Sequence, residues 1–276
     1  MQLRDILVCL DATPAGEERL KLSLRLARAH HAAISGVYSV HDDAVEAVLF
    51  PPANEGEPGA APVMSGTRAE LAEQRFREQL SAQGLAGDWL LIDGAGTDAV
   101  IEFAKSADLA VLGQYERSGA TRNTLRPEEV ALASGRPVLI LPYAGSFPTV
   151  GERALVAWDG TREASRALHD ALPLIAEAEN VTVVSVVGAE NERERTQSSL
   201  DRVVRHLERH DIPARAETIV RGELGVSDIL LSRASDLAAD LIVAGAYHHS
   251  PYREALFGGV TRDLLDHMTV PVLMAH

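Results

Sequence analysis

The sequence predicts an α/β protein built from two tandem copies of one parallel-sheet domain. Two observations carry this. Short runs rich in Val, Ile and Leu alternate with longer amphipathic stretches, and the order of those runs occurs twice. Such alternation reads as successive βαβ units with right-handed crossovers.

The repeat is visible element by element. Ile6-Leu7-Val8-Cys9-Leu10-Asp11 is echoed by Ala154-Leu155-Val156-Ala157-Trp158-Asp159, each followed by a short loop and an Ala/Leu-rich helical pattern. Ile34 to Val40 matches Val181 to Val186, and Ala107-Asp108-Leu109-Ala110-Val111-Leu112-Gly113 matches Ala239-Asp240-Leu241-Ile242-Val243-Ala244-Gly245. Arg136-Pro137-Val138-Leu139-Ile140 matches Val270-Pro271-Val272-Leu273-Met274. Four matches in one order mark a duplication. Asp11 and Asp159 are 148 positions apart but Gly94 and Gly222 only 128, so the first half carries an excess between those points. The Pro- and Gly-containing stretch Phe50 to Gly59 lies there and reads as a long loop. The junction is expected in the polar turn Ala144 to Thr149. Amphipathic helices are expected over Arg68 to Gln83 and Glu194 to Arg209.

Composition narrows the function. Hydrophobic residues make up 46% and charged residues 24%, the balance of a globular chain, while aromatics at 4% leave the core to Leu, Val, Ala and Ile. A net charge of −14 argues against nucleic acid or an anionic membrane as partner. An acidic chain can still bind a phosphate through backbone N–H groups or a cation. The single cysteine, Cys9, sits in an apolar run and reads as a buried core thiol. Nothing near Met1 has the layout of a signal peptide and no apolar stretch reaches spanning length, so the cytoplasm is the expected compartment.

In open parallel sheets, ligands sit beyond the carboxyl ends of the strands. The segment Gly245 to Leu265 supplies such a place: a strand ending on Gly245, a loop, then Gly258-Gly259 opening a helix with Thr261 in its first turn. Glycines let the backbone approach a phosphate, and the helix dipole favours the anion. The same glycines would equally serve a tight turn, and spacing alone leaves both readings open.

The order of Asp after strand one, Gly-x2-Gly-x9-Gly-Ser/Thr after strand four, and a closing Pro-Val-Leu strand resembles the universal stress protein family. The ending Gly258-Gly259-Val260-Thr261 through Met274 resembles it most closely. The resemblance covers nearly the whole chain. It implies two Rossmann-like (adenine nucleotide alpha hydrolase-like) domains, each a five-stranded parallel sheet flanked by helices. Residues 1–145 would be a degenerate copy and residues 152–276 a copy with a partly retained nucleotide motif. In ATP-binding members the strand-one Asp and a residue after strand two hold adenine and ribose, and the glycine-rich loop holds the phosphates. Carried over, that implies Asp159, Val186, Gly245, His248, Gly258, Gly259, Val260 and Thr261 as nucleotide-binding residues. His248 stands at the motif's second glycine and Gly259 at its Ser/Thr. The ring of His248 either blocks a phosphate or donates a hydrogen bond to one. The resemblance also implies that the closing strands, Pro137 to Pro142 and Pro271 to His276, meet in a pseudo-dimer, and that the chain forms a homodimer.

The first half departs further. Glu116 falls at the second glycine and Arg126-Pro127 at the Gly-Ser position. Pro127 has no N–H to offer and reads instead as the first residue of a helix. The first half is therefore expected to bind no nucleotide in this manner.

Other signals carry less chemistry. Gly94-Ala95-Gly96-Thr97-Asp98-Ala99 fits Gly-x-Gly-x-x-Ala but follows the third strand, where a helix-opening turn capped by Thr97 accounts for it. His206 and His210 share a helix face without the zinc-protease spacing or an evident third ligand, and read as an exposed face. No nucleophile elbow, phosphate loop or catalytic group is evident. Three readings remain: an ATP-binding stress-response module, a slow ATPase with Mg²⁺ held by Asp159, and a nucleotide-independent scaffold or ligand-binding protein.

Overall fold

The computed structural model describes residues 2–39, 65–92, 96–115, 125–246 and 259–276. The chain folds into two compact units, Gln2–Arg136 and Pro137–His276. His248, Gly258, Glu116, Gly94 and the Pro/Gly stretch Phe50 to Gly59 lie outside the described residues.

The first unit runs β1 (Asp5–Leu10), α1 (Pro14–His30), β2 (Ala33–Ser39), α2 (Ser65–Gln83), β3 (Gly87–Ile92), α3 (Gly96–Ala104), β4 (Leu109–Gly113) and α4 (Pro127–Ala133). Its strands lie in the order β3-β2-β1-β4 and every pairing is parallel. Ile6 to Leu10 and the whole of β4 are buried, as expected of strands covered by helices on both faces. The edge strand β3 exposes Asp88 and Leu91. Cys9 is buried, as its apolar neighbours require.

The second unit contains β5 (Val138–Leu141), β6 (Arg153–Ala157), α5 (Arg162–Ile175), β7 (Asn180–Val187), α6 (Arg193–Glu208), β8 (Ala214–Val220), α7 (Val226–Asp236), β9 (Leu241–Gly245), α8 (Gly259–His267) and β10 (Val272–Ala275). The order β3-β2-β1-β4 of the first unit is repeated here as β8-β7-β6-β9, again parallel, with β10 parallel to β9. The two Pro-Val-Leu segments lie side by side as β5 and β10, antiparallel, with Ile140 opposite Val272 and Val138 opposite Met274. The fold is thus α/β, and the sheet of the second unit is mixed because β5 runs antiparallel to β10.

The two halves share their local devices. Thr13 and Thr161 cap α1 and α5, their hydroxyls accepting from the N–H of Gly16 at 3.1 Å and of Ala164 at 3.2 Å. Asp108 accepts from the N–H groups of Arg4 and Asp5, and Asp240 from those of Gly151, Glu152 and Arg153. The repeated Ala-Asp therefore secures the backbone that enters the first strand of each half.

Two local expectations are corrected. Thr97 lies within α3 rather than at its cap, and its hydroxyl accepts from the Arg126 N–H at 3.4 Å. His206 is not on an open face. Its ring packs 5.0 Å from that of His169 on α5 and 4.7 Å from that of His210, centroid to centroid, with Nε2 enclosed and without a hydrogen-bond partner. Pro127 does open α4, at its first turn.

Candidate functional site

The carboxyl ends of β6, β7 and β9 converge on a cavity of about 110 Å³ in the second unit. Of the residues nominated from sequence, Asp159, Val186, Gly245, Val260 and Thr261 line it together. Gly259 is the first residue of α8, immediately before them. Positions 248 and 258 are outside the described residues.

Each lining group is placed by an identifiable local cause. Asp159 follows β6 and folds back on its own loop, where Oδ1 accepts from the Thr161 N–H at 3.0 Å and from the Thr161 hydroxyl at 2.6 Å. This turn orients the carboxylate and delivers Thr161 to its capping position. Oδ2 has no hydrogen-bond partner among the described residues, and Asp159 is exposed. Trp158 donates its backbone N–H to the Val184 carbonyl at 2.8 Å and its indole N–H to the Ser199 hydroxyl on α6 at 3.0 Å. The indole is thereby fixed against the helix that follows β7.

Gly245 has a packing reason to be glycine. A Cβ there would stand 2.6 Å from the Ala164 nitrogen and 2.6 Å from the Glu163 carbonyl carbon, inside contact distance. Helix α5 therefore approaches β9 as closely as it does only because position 245 has no side chain. The remaining wall is aliphatic, contributed by Val226 and Leu230 of α7, Leu264 of α8 and Met274 of β10. Thr261 is buried, whereas Val260 is 43% exposed at the mouth. The cavity thus combines an apolar interior, one acceptor-only carboxylate at its edge, and the N-terminal residues of a helix.

The corresponding place in the first unit is built differently. Asp11 makes the same turn onto Thr13, accepting from its N–H at 2.9 Å and from its hydroxyl. Its other oxygen is taken by the guanidinium of Arg19, which also donates to the Cys9 carbonyl at 3.0 Å. Arg19 is 3% exposed. In the second half, Ala167 stands as far beyond Thr161 as Arg19 stands beyond Thr13, and no cation reaches Asp159 from there.

Among the described residues no group of three or more His, Cys, Asp or Glu side chains is arranged to hold a metal ion. No helix among them is long and apolar enough to cross a membrane.

Comparison with known proteins accords with this geometry. Residues 152–276 match the model of the universal stress protein family. No curated protein matches the sequence. Among solved structures, a universal stress protein from Archaeoglobus fulgidus DSM 4304 superposes with a TM-score of 0.73 at 15% identity, covering 99% of this chain and 96% of that one. A putative universal stress protein from Pseudomonas aeruginosa UCBPP-PA14 superposes with a TM-score of 0.65 at 15% identity, covering 99% and 93%. A functionally unknown protein from Pseudomonas aeruginosa PAO1 gives 0.64 at the same identity, covering 99% and 92%. At such identity the likeness establishes the fold. Residues 152–276 thus carry a match to the universal stress protein family, and the chain shares the fold of solved universal stress proteins over nearly its whole length.

Proposed function

We propose that the protein is a stress-response module that binds an adenine nucleotide, ATP, in the cavity of its second unit. The observation that carries this reading is the convergence of Asp159, Val186, Gly245, Val260 and Thr261 on one cavity at the carboxyl end of the sheet. These residues come from the loop after β6, from β7 and β9, and from the first turn of α8.

The chemistry fits in two parts. About 110 Å³ is less than the few hundred Å³ of a typical ligand pocket, so the interior accommodates a base and not a whole nucleotide. An apolar, flat heterocycle gains from the Val, Leu and Met wall, and the carboxylate of Asp159 offers an acceptor to an amino group or a ribose hydroxyl. The phosphates then lie at the mouth, beside the first turn of α8. There the N–H groups lack intrahelical partners and the helix dipole favours an anion. Mg²⁺, when present, arrives bound to the phosphates, because Asp159 alone is too few ligands for a resident ion.

Hydrolysis is a weaker reading, since no water-activating base lies beside Asp159 among the described residues of the cavity. The scaffold reading draws on the first unit, where Arg19 satisfies Asp11 from within.

Calorimetric titration of ATP with Mg²⁺ into the purified full chain tests the proposal. One saturable site per chain, abolished by Val260→Trp at the cavity mouth, is the expected result. Absence of heat and of thermal stabilisation at millimolar ATP, with protein shown to be nucleotide-free, overturns it in favour of the scaffold.

A further inference from the structure

The first unit holds a cavity of about 240 Å³ between α1 and α2. Leu10, Ala12 and Leu20 form one wall, and Leu71 and Ala72 the other. Two of these residues stand where the second unit makes a tryptophan contact. Leu10 precedes Asp11 as Trp158 precedes Asp159. Ala72 lies eight residues before Leu80, as Ser199 lies eight before Leu207. The two leucines end their helices alike, each carbonyl accepting at 3.1 Å from the N–H five residues on, of Leu85 and of Ile212. In the second unit the Trp158 indole donates to the Ser199 hydroxyl at 3.0 Å. In the first, both members of that pair are aliphatic, and both line the cavity.

The rim is charged but balanced. Arg75 on α2 pairs with Glu17 on α1 at 2.8 Å, Arg19 pairs with Asp11, and Arg68 has an interaction of its own. An anionic ligand would meet two carboxylates and no spare cation, and a cationic one would have to displace an arginine. Glu17 accepts from Arg75 through Oε1 alone among the described residues, which leaves Oε2 as an acceptor at the mouth. Leu71 is 47% exposed at the opening, so an apolar ring seated against it removes surface of both from water.

We propose that this cavity binds a neutral, planar bicyclic aromatic with a ring N–H, of the class of indole. The second unit holds that same ring system in the matching place, as the side chain of Trp158 reaching α6. The size agrees. An apolar cavity of about 150 Å³ takes a benzene ring, and about 240 Å³ admits a second ring fused to it. The leucine and alanine walls desolvate the ring faces, and Glu17 supplies the acceptor that Ser199 supplies in the other unit. The proposal is independent of nucleotide binding by the second unit.

The test is calorimetric titration of indole into the full chain. It is repeated with the double variant Leu10→Trp/Ala72→Ser, which rebuilds the pair of the second unit, and with Ala72→Phe, which fills the cavity from a half-buried position. Val260→Trp, at the mouth of the other cavity, controls for binding in the second unit. Indole should bind at one site per chain to the parent and to Val260→Trp, and at least tenfold more weakly to both cavity variants. N-methylindole, which lacks the N–H, and indoleacetate, which adds a carboxylate, should each bind the parent at least tenfold more weakly than indole. The proposal is overturned by an absence of saturable binding at millimolar indole. It is equally overturned by unchanged affinity in a cavity variant whose circular dichroism matches the parent, or by loss of binding in Val260→Trp alone. Indoleacetate binding as tightly as indole overturns the neutral specificity, and N-methylindole doing so overturns the role of the ring N–H.

Discussion

The guanidinium of Arg19 reaches from the second turn of α1 to the carboxylate of Asp11, and in the second half Ala167 leaves Asp159 without that partner. A duplicated Asp-x-Thr turn has thereby acquired two electrostatic states. In one, the carboxylate is neutralised inside the protein. In the other, it stands exposed beside a cavity.

Breaking the inner pair should be costly. Arg19→Ala leaves a carboxylate without its counter-charge and a carbonyl at Cys9 without its donor. Asp11 keeps 31% of its side chain exposed, so the loss should fall near the lower end of the roughly 3–5 kcal/mol typical of buried pairs. Urea unfolding of Arg19→Ala, Asp11→Asn and the double variant measures it. The double variant should lose less than the sum of the two single ones. Strict additivity would mean the pair contributes no coupling.

At Asp159 the expectation is the reverse, an effect on ligand and little on fold. Asp159→Asn keeps the Oδ1 acceptor that Thr161 uses at 3.0 Å, so the turn and the cap of α5 persist. It removes the charge at the mouth of the cavity. Nucleotide affinity should fall about tenfold, corresponding to roughly 1.4 kcal/mol, with the melting temperature held within a degree or two. A fall in stability with unchanged affinity would assign Asp159 to the turn alone.

Gly245→Ala tests whether the cavity and the sheet–helix contact are one construction. The new Cβ would press on the backbone at Glu163 and Ala164, which cannot yield as a flexible side chain would. Overpacking of this kind costs about 1–3 kcal/mol. Because α5 must withdraw from β9, nucleotide binding should weaken as well. Denaturant unfolding and ATP titration of the variant report the two effects separately.

The histidine stack predicts sensitivity to mild acid. Burial holds the His206 imidazole below its ordinary pKa of 6.5, and the neighbouring His169, His210 and Arg209 push it in the same direction. Above pH 6.5 the folded and unfolded forms are both neutral there, and the group contributes nothing to pH dependence. As pH falls below 6.5 the unfolded chain takes up a proton that the folded one refuses, so stability declines until the folded pKa is passed. Melting temperatures of the parent and of His206→Gln between pH 7.5 and 5 measure this. The parent should lose more than the variant, and identical slopes would sink the assignment.

Much of this was legible in the residues. The apolar runs placed β1, β2, β4 and β5 and their counterparts β6, β7, β9 and β10, and the repeats set them in one order along the chain twice, whereas β8 was not read from its residues. Pro127 at the start of α4 followed from its missing N–H. The set around Asp159 could be nominated because strand ends, not distant surfaces, bear the ligand-facing loops of such sheets. Arg19 was also within reach, since counting from Thr13 and Thr161 sets it against Ala167, but an arginine at helical spacing reads as surface until its burial is known. His169 could not be joined to His206 and His210 in the same way, because it arrives from another helix.

What the sequence alone determined is therefore local and periodic: most of the strands, the amphipathic helices, the duplication and a family resemblance. Those follow from side-chain alternation, capping and backbone restriction, which act over a few residues. Tertiary structure decided the rest. It set the antiparallel pairing of β5 with β10, gave Gly245 a packing reason, and sealed Asp11 with Arg19. Each of these depends on which surfaces meet and how much volume remains between them, and volume is a property of the assembled core that no run of neighbouring residues contains.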